Sequence, residues 1–228
     1  MTRVHGVVKI HLKDKWTWIY IPWMILLSSF SINFLIAALA APEAGVKTGG
    51  VLSIFIYMMV TGIITMYNTF PFALGMSVRR TDYFKGTFLA ALLINALTTV
   101  VLLALFLIEE KVIPEWGVSL QFFSLAFLRS FNLLELFGIF FLLLLNMFYA
   151  GFAISCLQRR FGRTGMFVFF GGLLAAGSIA SYFLTANNGW MTLFGWLAEH
   201  YDLLFWWSLP LTLLYMVLSY LMMRRTTV

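Results

Sequence analysis

Charge is what this sequence has least of. Asp, Glu, Lys and Arg make up 11% of 228 residues, against 62% hydrophobic residues and a mean hydropathy of +0.93. So little polar surface cannot cover a soluble globule, and the chain reads as an integral membrane protein. Histidine is confined to His5, His11 and His200, none of them in an apolar run beside a serine or acid, which removes the pairs that buried nucleophilic chemistry needs. Cysteine is limited to Cys156, so no intrachain disulfide can form. There is no phosphate-cradling Walker A sequence either, because Lys47-Thr48 follows Val46 rather than a glycine. The Gly177-Ser178 pair has no histidine base in a later run, and the Glu109-Glu110 pair has no arginine three residues on. The expectation is a protein that is not an enzyme, with no catalytic, cofactor-binding or metal-binding residues of its own.

What is present is apolar sequence in lengths that match a bilayer. A helix needs about 20 apolar residues to cross the hydrocarbon core, and runs of that order lie near 18–40, 51–74, 88–108, 134–157, 166–185 and 203–223. Aromatic residues mark their edges, notably Trp16, Trp18, Tyr20 and Trp23 at the first and Tyr201, Trp206 and Trp207 at the last. With the N-terminus cytoplasmic, twelve of the fifteen basic residues fall inside: Arg3, Lys9, Lys13, Lys15, Arg79, Arg80, Lys85, Arg159, Arg160, Arg163, Arg224 and Arg225. Lys47, Lys111 and Arg129 remain outside. An odd number of crossings would put Arg224 and Arg225 on the wrong side, so six spans with both termini cytoplasmic follow. The net charge of +6 therefore sets orientation; scattered between runs, it forms no footprint for nucleic acid.

The expected fold is an all-α integral membrane protein in three parts. Residues 1–17 form a cytoplasmic amphipathic helix lying at the interface, with Val4, Val7, Val8 and Leu12 on one face. Residues 18–223 form the six-span domain, and 224–228 a cytoplasmic tail. The N-terminus is not a cleavable signal peptide, since the run after it is too long for an h-region. Outside, VSLQFFSLAFLRSF within 109–132 reads as an interfacial helix, with a re-entrant piece packed among the spans as the alternative.

No ionisable side chain occupies the middle of a run, which disfavours a carrier driven by protons or sodium. Asn33, Asn68, Asn95 and Asn146 place one amide in each of the first four runs, for interhelical hydrogen bonds or a polar path. Gly172, Ala176 and Ala180 make a small-residue stripe in the fifth, expected to pack within the chain rather than in a dimer.

Between the second and third runs lies YNTFPFALGMSVRRTDYFKGT, residues 67–87. Pro71 precedes a helix-ending Gly75; Ser77 or Thr81 offers the next N-cap; Arg79, Arg80, Asp82 and Lys85 follow closely. Asp82 is placed to pair with Arg79, while Tyr83 and Phe84 offer apolar area, so this basic turn suits docking of a soluble partner. Residues 70–87 resemble the turn between spans two and three of bacterial ABC-type exporter permeases of the ABC-2 superfamily, of the form F-P-x-A-L-x-x-G-x-[ST]-R-R-x-[FY]. The match lies in Phe70, Pro71, Ala73, Leu74, Ser77, Arg79, Arg80, Tyr83 and Gly86, the spacing of glycine and serine varying among members.

That resemblance implies a permease subunit in the bacterial cell membrane, paired with a second permease as homodimer or heterodimer. It implies a separate ATP-binding cassette ATPase that holds ATP and magnesium and docks on the coupling turn at Gly75, Ser77, Arg79, Arg80, Asp82, Tyr83, Phe84 and Lys85. The exported substrate would be hydrophobic or amphipathic: a lipid, peptide or drug. The chain departs from the ABCG-like members in carrying its long external segment after the third span, where theirs lies between the fifth and sixth. Two other classes stay open: the substrate-capturing subunit of an energy-coupling-factor importer, with Ala37 and Ala41 as its small-residue contact, and a non-transporting immunity or sensor protein.

Overall fold

The computed structural model describes residues 3–40, 45–116, 119–124 and 131–224. Helix α1 (Arg3–Lys13) leads through a π-helical turn (Trp16–Tyr20) into α2 (Ile21–Ala40). Strand β1 (Val46–Lys47) precedes α3 (Leu52–Ile64), a second π turn (Thr65–Thr69) and α4 (Phe70–Gly75). After α5 (Arg80–Lys111) come a 3-10 turn (Ile113–Trp116) and β2 (Leu120–Gln121). Helices α6 (Leu133–Ala186), α7 (Gly189–Glu199) and α8 (Tyr201–Arg224) complete the chain.

Among the described residues, five helical stretches are long and apolar enough to cross a membrane: Trp16–Leu39, Leu52–Gly75, Arg80–Lys111, Leu133–Ala186 and Phe205–Arg224. The runs expected at 134–157 and 166–185 both lie in α6, whose 54 residues would reach roughly 80 Å if straight, far beyond a bilayer. The segment between them, RRFGRTG, holds no proline, so helical bonding resumes across it. Only Gly162 leaves the helix, at φ 65° and ψ −164°, a conformation essentially reserved for glycine. Two helices therefore meet at Gly162.

The contacts sort the bundle into two ends. At one, Arg80 Nη1 at the start of α5 donates to the Arg224 carbonyl at the end of α8 (2.8 Å), and Arg159 Nη2 donates to the Tyr67 carbonyl (3.3 Å). Buried around them are Val7, Trp18, Met66, Phe70, Tyr83, Tyr149, Phe152 and Met223. At the other end Phe131 meets Phe205 edge-on, and β1 pairs with β2 in parallel, Val46 opposite Leu120 and Lys47 opposite Gln121. Phe55, Leu102, Phe106, Phe122, Phe123, Leu136 and Phe140 fill that end. The first end carries α1, Arg79, Arg80, Arg159, Arg160, Arg163 and Arg224, and is called here the basic end.

Helices α3 and α6 cross in backbone contact. A Cβ on Gly62 would lie 2.1 Å from the Phe148 carbonyl oxygen, and one on Gly151 would lie 1.9 Å from that of Met59. The absence of a side chain at both positions lets the helices close. The stripe expected to pack within the chain behaves oppositely. Gly172, Ala176 and Ala180 are exposed, and a Cβ on Gly171, Gly172 or Gly177 would meet nothing within 4 Å. Small residues permit close approach, but among the described residues no helix approaches.

Three further expectations are corrected. The buried face of α1 is Val7, Val8 and His11, turned onto α5; Leu12 is exposed. A Cβ on Gly86 would strike Val7 at 2.5 Å, so glycine in the first turns of α5 is what admits α1. Trp18, read as an interface marker, is buried between His11 and Phe148, whereas Trp16, Trp206 and Trp207 are exposed. In the external segment, Leu120–Gln121 form strand β2 and residues 122–124 bend, packed inward rather than helical; residues 125–130, with Arg129, lie outside the described residues, as do Ala41 and Arg225.

The reason for that inward turn is Glu109, an acid assigned from sequence to an outer loop but only 2% exposed at the end of α5. Its Oε2 accepts the Phe122 and Phe123 N–H groups (2.9 and 2.8 Å), and its Oε1 accepts the Ser124 N–H (2.9 Å) and hydroxyl (2.6 Å). Four donors on one buried carboxylate satisfy its charge and fix the segment over the bundle.

A candidate docking platform at the basic end

The turn between α4 and α5 is built by a helix stop at Gly75, where the sequence suggests it, with the left-handed residue two positions further on. Val78 N–H donates to the Ala73 carbonyl (3.1 Å) and Ser77 N–H to that of Leu74 (2.9 Å), the paired bonds of a Schellman stop, with Ser77 in the left-handed conformation at φ 58°. Gly75 is the last helical residue of α4 and is exposed; the left-handed position belongs to Ser77. Neither Ser77 nor Thr81 caps α5. Arg79 does so by its extended backbone, without a side-chain bond, and Asp82 sits in the first turn, where a negative charge suits the helix dipole.

The expected docking residues divide. Gly75, Ser77, Arg79 and Lys85 are exposed, while Asp82 is half-buried and no ion pair joins it to Arg79 among the described residues. Arg80 is engaged with the end of α8. Phe84 packs between Phe152 and Tyr220. Tyr83, expected to face a partner, is fully buried: its hydroxyl lies 2.8 Å from Thr69 Oγ1 and donates to the Thr65 carbonyl (3.2 Å), and its ring meets Phe70. The reason is its place on the face of α5 that turns onto the π segment and α1. Tyr83 holds the turn rather than presenting it.

Pro71 explains a second feature. It lacks the N–H that would bond the Tyr67 carbonyl, and Arg159 of α6 supplies the missing donor while its guanidinium lies 5.3 Å from the Phe70 ring. The turn is thus tied to α6 by Arg159 and to α8 by Arg80.

What the sequence did not reveal is that α1 joins this platform. His11 Nε2 lies 3.0 Å from Thr87 Oγ1, with the His11 ring 5.4 Å from Trp18 and 6.0 Å from Tyr83. Burial pushes its imidazole down to about 4, against a smaller upward pull from Asp14. Between α1 and the turn runs an open groove of about 490 Å3, floored by Ile10, Phe72, Met76 and Val78 and edged by Arg3, Lys9 and Lys13. No acid lines it. Such a groove accepts an apolar knob from a surface of negative charge. Its sole trace in the sequence is Gly86, a weak helix former placed where α1 must come close.

The four asparagines do not converge. Asn33 donates to the Ser29 carbonyl of its own helix (2.8 Å), and Asn68 is exposed in the π turn. Asn146 makes the interhelical bonds, donating to Thr212 Oγ1 (3.0 Å) and the Ser208 carbonyl (3.3 Å) of α8. Asn95 is buried with both amide atoms unpartnered among the described residues. They form no continuous polar path. Among the described residues no three His, Cys, Asp or Glu side chains are placed to share a metal ion. In comparisons with known proteins, no family model, no curated protein and no solved structure matches this chain.

Proposed function

We infer that this chain is the membrane-spanning permease subunit of an ATP-binding cassette exporter, moving a hydrophobic or amphipathic substrate such as a lipid, peptide or drug. ATP and magnesium sit on a separate ATPase subunit, and a second permease completes the path. The observation that carries the reading is the basic-edged apolar groove between α1 and the turn. A soluble subunit seated there presses on an element tied to three helices: to α5 through Tyr83, to α6 through Arg159 and to α8 through Arg80. Movement of the turn is thereby shared across the bundle, which is what coupling to hydrolysis requires.

Six crossings are part of the reading. Helix α6 begins where Phe131 meets Phe205 and reaches the basic end at Arg159, while α8 begins again beside Phe131. A return crossing by residues 163–186 accounts for that path. Both termini then lie on the basic side, which the positive-inside rule assigns to the cytoplasm of a bacterial cell. The exposed helix over 163–186 leaves a span-length surface for the second permease.

The test is co-purification. An ATPase is expected to accompany the tagged chain, and Lys9→Glu with Lys13→Glu and Arg79→Glu should release it, whereas Lys47→Glu with Lys111→Glu at the opposite end should not. Membrane insertion of each variant is checked by cysteine labelling. An inserted triple variant that holds the ATPase as tightly as the parent chain, or a parent chain that holds none, removes the reading.

A further inference from the structure

Beside the turn, on the other flank of the basic end, a second cavity has a different chemistry. It measures about 240 Å3 and is lined by Tyr67, Ser155, Gln158, Arg159, Gly162 and Arg163. Arg159 and Arg163 both line it, one on each side of the Gly162 break, and Gln158 and Ser155 add neutral donors. Arg159 is half-buried and pre-oriented, one nitrogen on the Tyr67 carbonyl and its plane over Phe70, which leaves its remaining N–H groups for another acceptor. Gly162 shapes the mouth: its glycine-only backbone ends the first half of α6 and starts the second, so the positive end of a new helix borders the cavity. No carboxylate lines it.

We propose that this cavity binds a phosphate anion, held between Arg159 and Arg163, with the phosphate of an anionic lipid headgroup and free inorganic phosphate as its two possible sources. Two guanidinium groups at one site match phosphate in charge and geometry. The site lies where a helix carrying apolar sequence on both sides of Arg159–Arg163 turns at the bundle's end, the level at which headgroups sit. Bound phosphate would lock the Gly162 bend by bridging the two halves of α6. The proposal stands apart from ATPase docking, since none of the six lining residues edges the groove of α1.

Calorimetry on the full chain in neutral detergent tests it, with short-chain phosphatidylglycerol, short-chain phosphatidylcholine and inorganic phosphate as probes. Phosphatidylglycerol should bind, and Arg163→Gln should weaken it roughly tenfold, the factor for one strong charge-assisted contact. Arg160→Gln, which removes an equal charge next door from a half-buried guanidinium that lies on the Phe161 ring and does not line the cavity, should change it by less than about twofold. Gln158→Leu should also weaken binding, and it serves with Arg163→Gln where Arg159→Gln fails to fold. Competition by millimolar inorganic phosphate identifies the free ion as the source; its failure to compete identifies the lipid. Equal losses in Arg160→Gln and Arg163→Gln, equal binding of phosphatidylcholine, or no binding of either anion overturns the proposal.

Discussion

Replacing Glu109 by Gln exchanges one oxygen of a buried, four-fold acceptor for an amide donor. In the best orientation the remaining oxygen stays on the Phe122 and Phe123 N–H groups, and the new NH2 faces Ser124. The Ser124 hydroxyl can rotate to accept from it, but the Ser124 N–H cannot, and it is left without its acceptor. An orphaned buried donor costs about 1–3 kcal/mol, and loss of ionic character from the surviving bonds costs about 1 kcal/mol more. Opening of residues 120–124 should become easier by about 3 kcal/mol, close to a hundredfold in the opening equilibrium. Hydrogen exchange on the full chain in nanodiscs reads this directly: the amides of Phe122, Phe123 and Ser124 should exchange on the order of a hundred times faster in Glu109→Gln. Exchange in α3 and α6 near Gly62 and Gly151 should stay unchanged, because they lie away from the clamp. Unaltered exchange at Phe122–Ser124 would refute the assignment of Glu109 as the pin of the external segment.

Gly62→Ala and Gly151→Ala each place a methyl group within about 2 Å of a facing carbonyl, so either should separate α3 from α6 and lower thermal stability by several kcal/mol, whereas Gly171→Ala, in open space, should be neutral or stabilising by about 0.5–1 kcal/mol. For His11 the sign follows from its lowered folded value. Above about pH 6.5 the imidazole is neutral whether α1 is docked or free, and docking is at full strength. Between 6.5 and about 4 only the free helix takes a proton, so docking weakens by about 1.4 kcal/mol per pH unit, and below 4 no further loss occurs. The protection of α1, measured as exchange relative to the intrinsic rate at each pH, should fall as the pH drops through that window, and His11→Gln should flatten the response; a wild-type chain with pH-independent protection of α1 contradicts the buried-histidine account.

The sequence by itself set the expectation of a membrane protein, because composition is a summed property: with 62% hydrophobic residues, polar surface is scarce whatever the fold. It also located the long apolar helices, since hydrocarbon thickness sets a length that can be read along the chain, and it singled out residues 67–87 by Pro71 and the cluster of charges. What it could not supply were contacts between elements far apart in the chain. Val4, Val7, Val8 and Leu12 look like a stripe for lipid until Gly86 lets α1 sit on α5 and His11 takes the buried place. Gly172, Ala176 and Ala180 have the spacing of a packing face, yet Gly62 and Gly151, with no such repeat, are where helices touch, because contact depends on which backbones meet. Tyr83 and Glu109 looked like surface residues because local polarity cannot tell a turn from a pin. Only the tertiary structure shows that Thr65 and Thr69 wait for the Tyr83 hydroxyl, and that three backbone N–H groups from residues 122–124 converge on the Glu109 carboxylate. Burial of a polar group is decided by its partners, and partners are brought together by the fold.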